Sequence, residues 1–357
     1  MELKADAKWS LVVPTSIGLR LTADNRMPTH QSDRFLLQAT SAETNVATIA
    51  AFLGEPAKLL TAFVAESPFA LFIKQDLRSR GLAYEGPEIP QGNPWGPRHQ
   101  INVADSGFGG RGPRVWNDRA GEVARDLSIA DFDVDRLFGE EGVKILHLSG
   151  LFAAISPGTS ELCVELAKAA KRYGTRVSMD MNYRASFWAG REDELHKAFH
   201  EIACLCDVLI GNEEDFQLTL GIQGPEAGGK DVKEEIQNFT EMIERIRTAY
   251  PNASWIATTL REVVNANEHH WGMIVSGGDV LEVIEPRPIQ VMDRIGGGDG
   301  SVGGLLYGIL KGWEPAECAH FGWATGALAA GSIYDYAAPA DEAQVWAVWS
   351  GNARVSR

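Results

Sequence analysis

The sequence predicts a three-layer α/β/α protein with a mostly parallel central sheet and a small β-sheet lid. Two observations carry that expectation. From about residue 42 onward, apolar runs of strand length alternate with amphipathic stretches at helical spacing, and repeated βα order builds a parallel sheet covered by helices on both faces. Residues 10–38 and about 98–120 break the rhythm and read as β-ribbon, so a smaller sheet is expected to project from the larger one.

The alternation can be followed along the chain. AETNVATIAAFLG (42–54) has apolar residues at helical spacing and stops at Gly54; KLLTAFVA is a buried strand; PFALFIKQDLRSRG is a helix ending at Gly81. VKILHLSG (143–150) reads as a strand, TSELCVELAKAAKRYG (159–174) as a helix closed by Gly174, and TRVSMDMN (175–182) as the next strand. Helix EDELHKAFHEIACLC and strands DVLIGN (207–212) and SWIATTL (254–260) continue the series. Glycine just past the last periodic residue ends a helix because it accepts the left-handed conformation needed there. QGPEAGGKDVKEEI (223–236) is expected to be an exposed connection, and His269 and His270 in NANEHHWG a solvated turn.

Composition narrows function. The 357 residues are 45% hydrophobic and 23% charged, with a net charge of −15, a balance that fits one large domain with an appendage. Such acidity repels phosphate backbones and anionic lipid surfaces, which argues against nucleic acid and membrane partners. Any anionic ligand must then be met by a local positive site. No run approaches the ~18 apolar residues of a membrane span, and the start, MELKADAKWSLVVPTS, does not read as a secretory signal. Cys163, Cys204, Cys206 and Cys318 form no C-x-x-C pair and are expected to be buried, reduced thiols of a cytoplasmic protein.

Chemistry concentrates in IQVMDRIGGGDGSVGGLLYGILKGW (289–313): a short strand, three glycines, an aspartate and an apolar helix. Gly296, Gly297 and Gly298 let the backbone turn with no side chains in the way. Their amides, at a helix start, point outward as unpaired donors backed by the helix dipole, an anion hole for a transferring phosphoryl group. Asp299, at its mouth, can take the proton of an attacking hydroxyl. A plain strand-to-helix turn with Asp299 as N-cap is the bland alternative. Gly298, Gly300 and Gly303 also satisfy G-x-G-x-x-G, but more helix follows, where a dinucleotide site needs a second strand and an acidic ribose ligand. No Walker A loop occurs anywhere in the sequence.

DRIGGGDGSVGG resembles the C-terminal signature of the ribokinase-like (PfkB) carbohydrate kinases, and Arg294 and Gly300 suit the branch that phosphorylates 2-keto-3-deoxygluconate. AETNVATIAAFLG, VWNDRAG (115–121), LHLSGLFAAIS (146–156), DMNYRASFW (180–188), GNEEDFQLTLGI (211–222) and ATTLRE (257–262) resemble further stretches of those kinases in family order, over roughly residues 40–335. The resemblance implies a single ribokinase-like unit, with a large α/β domain at about 42–97 and 121–345 and the lid at about 10–41 and 98–120. It implies ATP-dependent phosphorylation of a sugar or sugar-acid hydroxyl, with Asp299 as base and the backbone of Gly296, Gly297 and Gly298 as anion hole. Arg184, in D-x-N-x-R, would reach the sugar acid or the phosphate; Arg119 would clamp the substrate carboxylate from the lid; Asn45 would hydrogen-bond sugar hydroxyls. Asn212 and Asp215, with Glu214 beside them, would organise Mg²⁺ through water, and Thr259 and Arg261 would line the nucleotide. A monovalent cation near the anion hole is left open, and a homodimer pairing lid edges is expected.

Departures from the family pattern cluster on the sugar side. Thr40 and Ser41 replace a Gly-Gly, Thr15 and Ser16 a Gly-Glu, and Asn102 and Asn117 two lid tyrosines, while Asp335 in YDYAAP stands nearest the family's P-G-D aspartate. The altered pocket leaves room for a different sugar. It also keeps a rival reading alive, a catalytically silent sugar- or nucleotide-binding protein on the same scaffold.

Overall fold

A computed structural model of the chain describes residues 1–225 and 235–352. Its strands are β1 (Trp9–Pro14), β2 (Gly18–Ala23), β3 (Phe35–Thr40), β4 (Ala57–Leu60), β5 (Phe63–Val64), β6 (Ala83–Glu85), β7 (Glu88–Ile89), β8 (Ile101–Asp105), β9 (Arg114–Asp118), β10 (Val143–Ser149), β11 (Arg176–Asp180), β12 (Val208–Ile210), β13 (Trp255–Asn265), β14 (Glu268–Gly277) and β15 (Val280–Gln290). Its α-helices are α1 (Ala42–Phe52), α2 (Pro68–Ser79), α3 (Gly150–Ala153), α4 (Pro157–Arg172), α5 (Ala185–Trp188), α6 (Glu192–Leu205), α7 (Glu213–Leu220), α8 (Ile236–Ala249), α9 (Gly297–Lys311), α10 (Pro315–Ala330) and α11 (Glu342–Trp349).

One sheet runs in the order β15-β14-β13-β12-β11-β10-β1-β4-β6, and a four-stranded lid in the order β3-β2-β8-β9. From β6 to β13 neighbouring strands are parallel; β13, β14 and β15 are antiparallel. Successive side chains of a strand point to opposite faces, and β1 shows the result. Leu11 and Val13 join the core formed with Val46, Ile49, Leu305 and Phe321 of α1, α9 and α10. Val12 faces the other core, with Leu166, Ile202 and Ile243 of α4, α6 and α8. Each fully buried aliphatic side chain contributes about 1.5–3 kcal/mol relative to exposure.

Helix α9 lies unusually close to its neighbours. A Cβ on Gly303 would stand 2.7 Å from the carbonyl oxygen of Val46 in α1, and one on Gly304 would stand 2.0 Å from Thr325 Oγ1 in α10. The helix is therefore held backbone to backbone, and its N-terminus is a fixed point.

Several expectations give way here. Residues 10–14 were expected in the lid, yet as β1 they sit mid-sheet between β10 and β4, buried from Ser10 to Pro14, as a strand covered on both faces must be. His269 and His270 lie on β14 instead of in a turn; His269 is buried, and burial pushes its pKa down to about 4. The turn sits two residues earlier, where Asn265 pairs with Glu268. Cys204 is exposed while the other three thiols are buried. Most of the connection read at 223–236 lies outside the described residues. No described helix is long and apolar enough to cross a membrane.

Candidate active site

Thr15, Ser149, Asp180 and Asn212 all lie at or just past the C-terminal ends of parallel strands, where open α/β sheets carry their ligands. Helix α9 starts above the same edge. Gly296 is its N-cap, in the left-handed region at φ 84°, and the carbonyl of Asp335 approaches so closely that a Cβ would stand 1.7 Å from it. Only glycine satisfies both demands. Gly298 is exposed, with no atom within 4 Å of where its Cβ would be, so the helix start is open on that side.

Asp299 sits in the first turn of α9 and accepts a hydrogen bond from Asn45 Nδ2 at 3.0 Å. Burial pushes its carboxyl up to about 7, helped by the negative charges of Asp335 and Glu43 and opposed by Asn45 and Arg184. A carboxylate poised near neutrality is suited to proton transfer. Asn45 is itself buried, and its Oδ1 has no partner among the described residues, leaving an acceptor for a hydroxyl.

Opposite these carboxylates lies a cluster of cations. Arg261, on β13 beyond the point where β12 stops pairing, keeps a solvent-exposed side chain, and the surrounding protein with the charges of Arg294 and Arg184 pushes its pKa down to about 10. Arg294 is lowered in turn by burial and by Arg184. Three guanidiniums close enough to resist one another's charge form the local positive site that a chain of net charge −15 needs to receive a polyanion. Thr259 projects from the same face of β13 as Arg261, two residues before it.

Asn212 and Asp215 form a capping box at the start of α7: Asp215 Oδ2 accepts from the Asn212 amide at 2.9 Å, and Asn212 Oδ1 from the Asp215 amide at 2.8 Å. Asp215 Oδ1 accepts from the Tyr183 amide at 2.9 Å. Glu214 is exposed on the same turn. Asp180 is driven well above the usual carboxylate range by burial and by the charges of Asp215 and Asp299. Carboxylates that oppose one another's ionisation are a natural seat for a cation. Among the described residues, no group of three or more His, Cys, Asp or Glu side chains converges on one metal position.

Arg119 is held at the base of the lid, with Nη1 paired to Glu122 at 2.7 Å and the guanidinium over the Phe187 ring. Its charge acts on Glu43, so it stands one carboxylate removed from Asp299. The substitutions on the sugar side prove to be partners. Thr15 Oγ1 donates to Glu43 Oε2 at 2.8 Å and lies at the same distance from Ser41 Oγ; Thr40 donates to Asp335; Ser16 donates to Glu122. Sequence reasoning overlooked Glu43, a carboxylate buried by α1, and treated Arg294 only as a family mark. Its place two residues before the glycine triplet was the available signal.

A glycine-capped helix start, an adjoining carboxylate and a cluster of arginines are the groups that phosphoryl transfer asks of an α/β scaffold. The profile of the pfkB family carbohydrate kinases matches residues 20–341, and the chain belongs to that family. It is thus a carbohydrate kinase. It is 26% identical over 343 residues to a 5-dehydro-2-deoxygluconokinase of Clostridium tetani, covering 91% of this chain and 89% of that one. Its structure is similar to that of 2-dehydro-3-deoxygluconokinase from Thermotoga maritima, with a TM-score of 0.85 and 26% identity over 96% of this chain and 98% of that chain. An E. coli protein assigned as a ribokinase II, solved with ATP and Mg²⁺, shares the fold at a TM-score of 0.75 and 15% identity, over 96% and 99% of the two chains.

Proposed function

We propose that the chain transfers the γ-phosphoryl group of ATP to a hydroxyl of a keto-deoxy sugar acid, with Asp299 as the base. The observation that carries this reading is the pairing of Asp299, its carboxyl near neutrality and held by Asn45, with the open helix start at Gly296, Gly297 and Gly298. The Thermotoga and Clostridium relatives, named for deoxygluconate substrates, support the acceptor class.

Asp299 takes the hydroxyl proton while Asn45 fixes its orientation. The amides of the triplet receive the charge that develops on the transferring group. Arg184, Arg261 and Arg294 hold the polyphosphate or the acid, with Thr259 beside them. Arg119, carried by the lid with Phe187 behind it, would turn from Glu122 to clamp the substrate carboxylate. Asn212, Glu214 and Asp215, with Asp180 adjacent, would hold Mg²⁺ through its water shell; the ion, when bound, neutralises the β- and γ-oxygens. Closing the lid excludes the water that competes as acceptor.

The lid also supports a homodimer. Trp116 on edge strand β9 is 69% exposed, and it continues the row of Leu37, Leu21 and Val103 across the sheet. An apolar stripe of this kind across an open sheet face calls for cover, which a second copy supplies. Dependence on ATP and reduced thiols fits a cytoplasmic setting.

Incubation with Mg-ATP and a panel of keto-deoxy sugar acids, ketohexoses and nucleosides tests the reading. ADP release with a keto-deoxy acid is expected. ATP binding without ADP release on any member would favour the silent binding protein.

A further inference from the structure

The family resemblance raises a monovalent cation near the anion hole, and the residues around that hole do not fit one. The anionic groups that could ligate it, in the segment entering the glycine loop and in the segment that packs against it, are Asp293 and Asp335, and both are already engaged. Asp293, fully buried six residues before Asp299, is ion-paired with Arg20 of lid strand β2, accepts from Ser106 Oγ at 2.6 Å and from the Ile295 amide at 3.0 Å. Asp335 accepts from Thr40, and from Gln38 Nε2 at 2.6 Å, with Arg20 Nη1 3.9 Å away. The Val291 carbonyl accepts from Arg26 Nη1 at 3.3 Å, and the Ala330 carbonyl from the Met292 and Asp293 amides. The Asp335 carbonyl packs closely against the backbone of Gly296.

Both arginines belong to the lid. Arg20 is one of the largest fully buried side chains of the protein. Arg26 is aimed by left-handed backbone at Asn25 (φ 52°) and at itself (φ 56°), a conformation that non-glycine residues hold only when their surroundings enforce it. The enforcing contacts are its bonds to the carbonyls of Gly107, Ala266 and Val291.

We propose that Arg20, assisted by Arg26, supplies from the lid the fixed positive charge beneath the glycine loop, so that no monovalent cation binds there. Arg20 is a positioning residue: it holds Asp293, whose second oxygen fixes the Ile295 amide at the loop's entrance, and through Asp335 it ties the lid floor to the turn that abuts Gly296. The catalytic consequence rests on the phosphoryl-transfer reading above; the occupied charge site does not.

The wild-type protein is compared in KCl and in tetramethylammonium chloride at equal ionic strength. Melting temperature, affinity for a non-hydrolysable ATP analogue followed by tryptophan fluorescence, and kcat are measured. All three are expected to be the same in both salts. Arg20→Met, which empties the site but leaves Asp293, is expected to lose about tenfold or more in kcat and to recover part of it, together with melting temperature, in KCl only. A rise in the wild-type melting temperature or analogue affinity specific to K⁺ overturns the proposal, and the melting readout decides even if no sugar is phosphorylated. An Arg20→Met protein as active as wild type in both salts removes the positioning role. If that variant does not fold, the wild-type comparison still decides.

Discussion

Asn45 Nδ2 lies 3.0 Å from Asp299 Oδ2, joining two helices 254 residues apart in sequence at the point where a hydroxyl would lose its proton. The donor favours the ionised carboxylate, while burial, Asp335 and Glu43 favour the protonated form; the balance falls near pH 7.

Replacing Asp299 by Asn is expected to lower kcat by about 10²–10⁴, the range for a positioned base. Steady-state ADP release checks this, and near-normal turnover would remove Asp299 from its role. The same variant should gain stability. A carboxyl raised in the folded state binds its proton more tightly there than in the unfolded chain, so its contribution is lost as pH rises from 3.8, its ordinary value, to about 7. The melting temperature of Asp299→Asn should exceed that of wild type at pH 8 and match it near pH 4.

The kcat/KM profile is expected to fall about tenfold per pH unit below roughly pH 7, as the base is protonated. Asn45→Ala removes the donor that opposes protonation, so the acid limb should move to higher pH. A limb that stays in place, or moves down, would contradict the assignment.

Gly296→Ala and Gly298→Ala separate fold from chemistry. At 296 a methyl group meets the Asp335 carbonyl and a left-handed φ, so a loss of about 1–3 kcal/mol or more is expected in denaturant unfolding. At 298 there is open space. Gly298→Ala should therefore unfold like wild type yet turn over more slowly, because its methyl stands where the phosphoryl oxygens belong.

Arg261→Gln is expected to raise the KM for ATP by about 10–100-fold, the effect of losing a charge-assisted hydrogen bond, with a smaller change for the sugar. Initial rates at varied ATP measure it. His269, whose pKa is held down by burial and by Arg261 and Arg294, should titrate at higher pH in that variant.

Restoring glycines at Thr40 and Ser41 should cost stability. Ser41 caps α1 through the Thr44 amide, and Thr40 satisfies the buried Asp335. A loss of about 2 kcal/mol or more is expected for the pair, measured by urea unfolding.

The parts of the fold that the sequence made legible are those governed by local rules. Helices closed by Gly54, Gly81 and Gly174, and strands read as uninterrupted apolar runs such as VKILHLSG, lie where periodicity places them. Strands β14 and β15 were not legible: they carry two histidines, two prolines and three glutamates, a pattern that reads as loop until the sheet edge that accepts it is known. Asp299 and its glycines were found because helix-start chemistry is local. The ion pair of Arg20 with Asp293 spans 273 residues, the partnering of Thr15 with Ser41 spans 26, and the burial of Glu43 depends on elements brought in from far along the chain. No single segment announces any of them.

The tight seam of α9 against α1 and α10 has a bearing on how such an enzyme diversifies. With the Val46 carbonyl and Thr325 Oγ1 where Cβ atoms would go, no single substitution can pry the helix bearing Asp299 away from its neighbours without breaking it. Novelty is thereby channelled to the rim, where the side chains that depart from the family pattern are held by partners of their own, Thr15 by Ser41 and Thr40 by Asp335. The anvil stays bolted down while the jaws that grip the workpiece are recut.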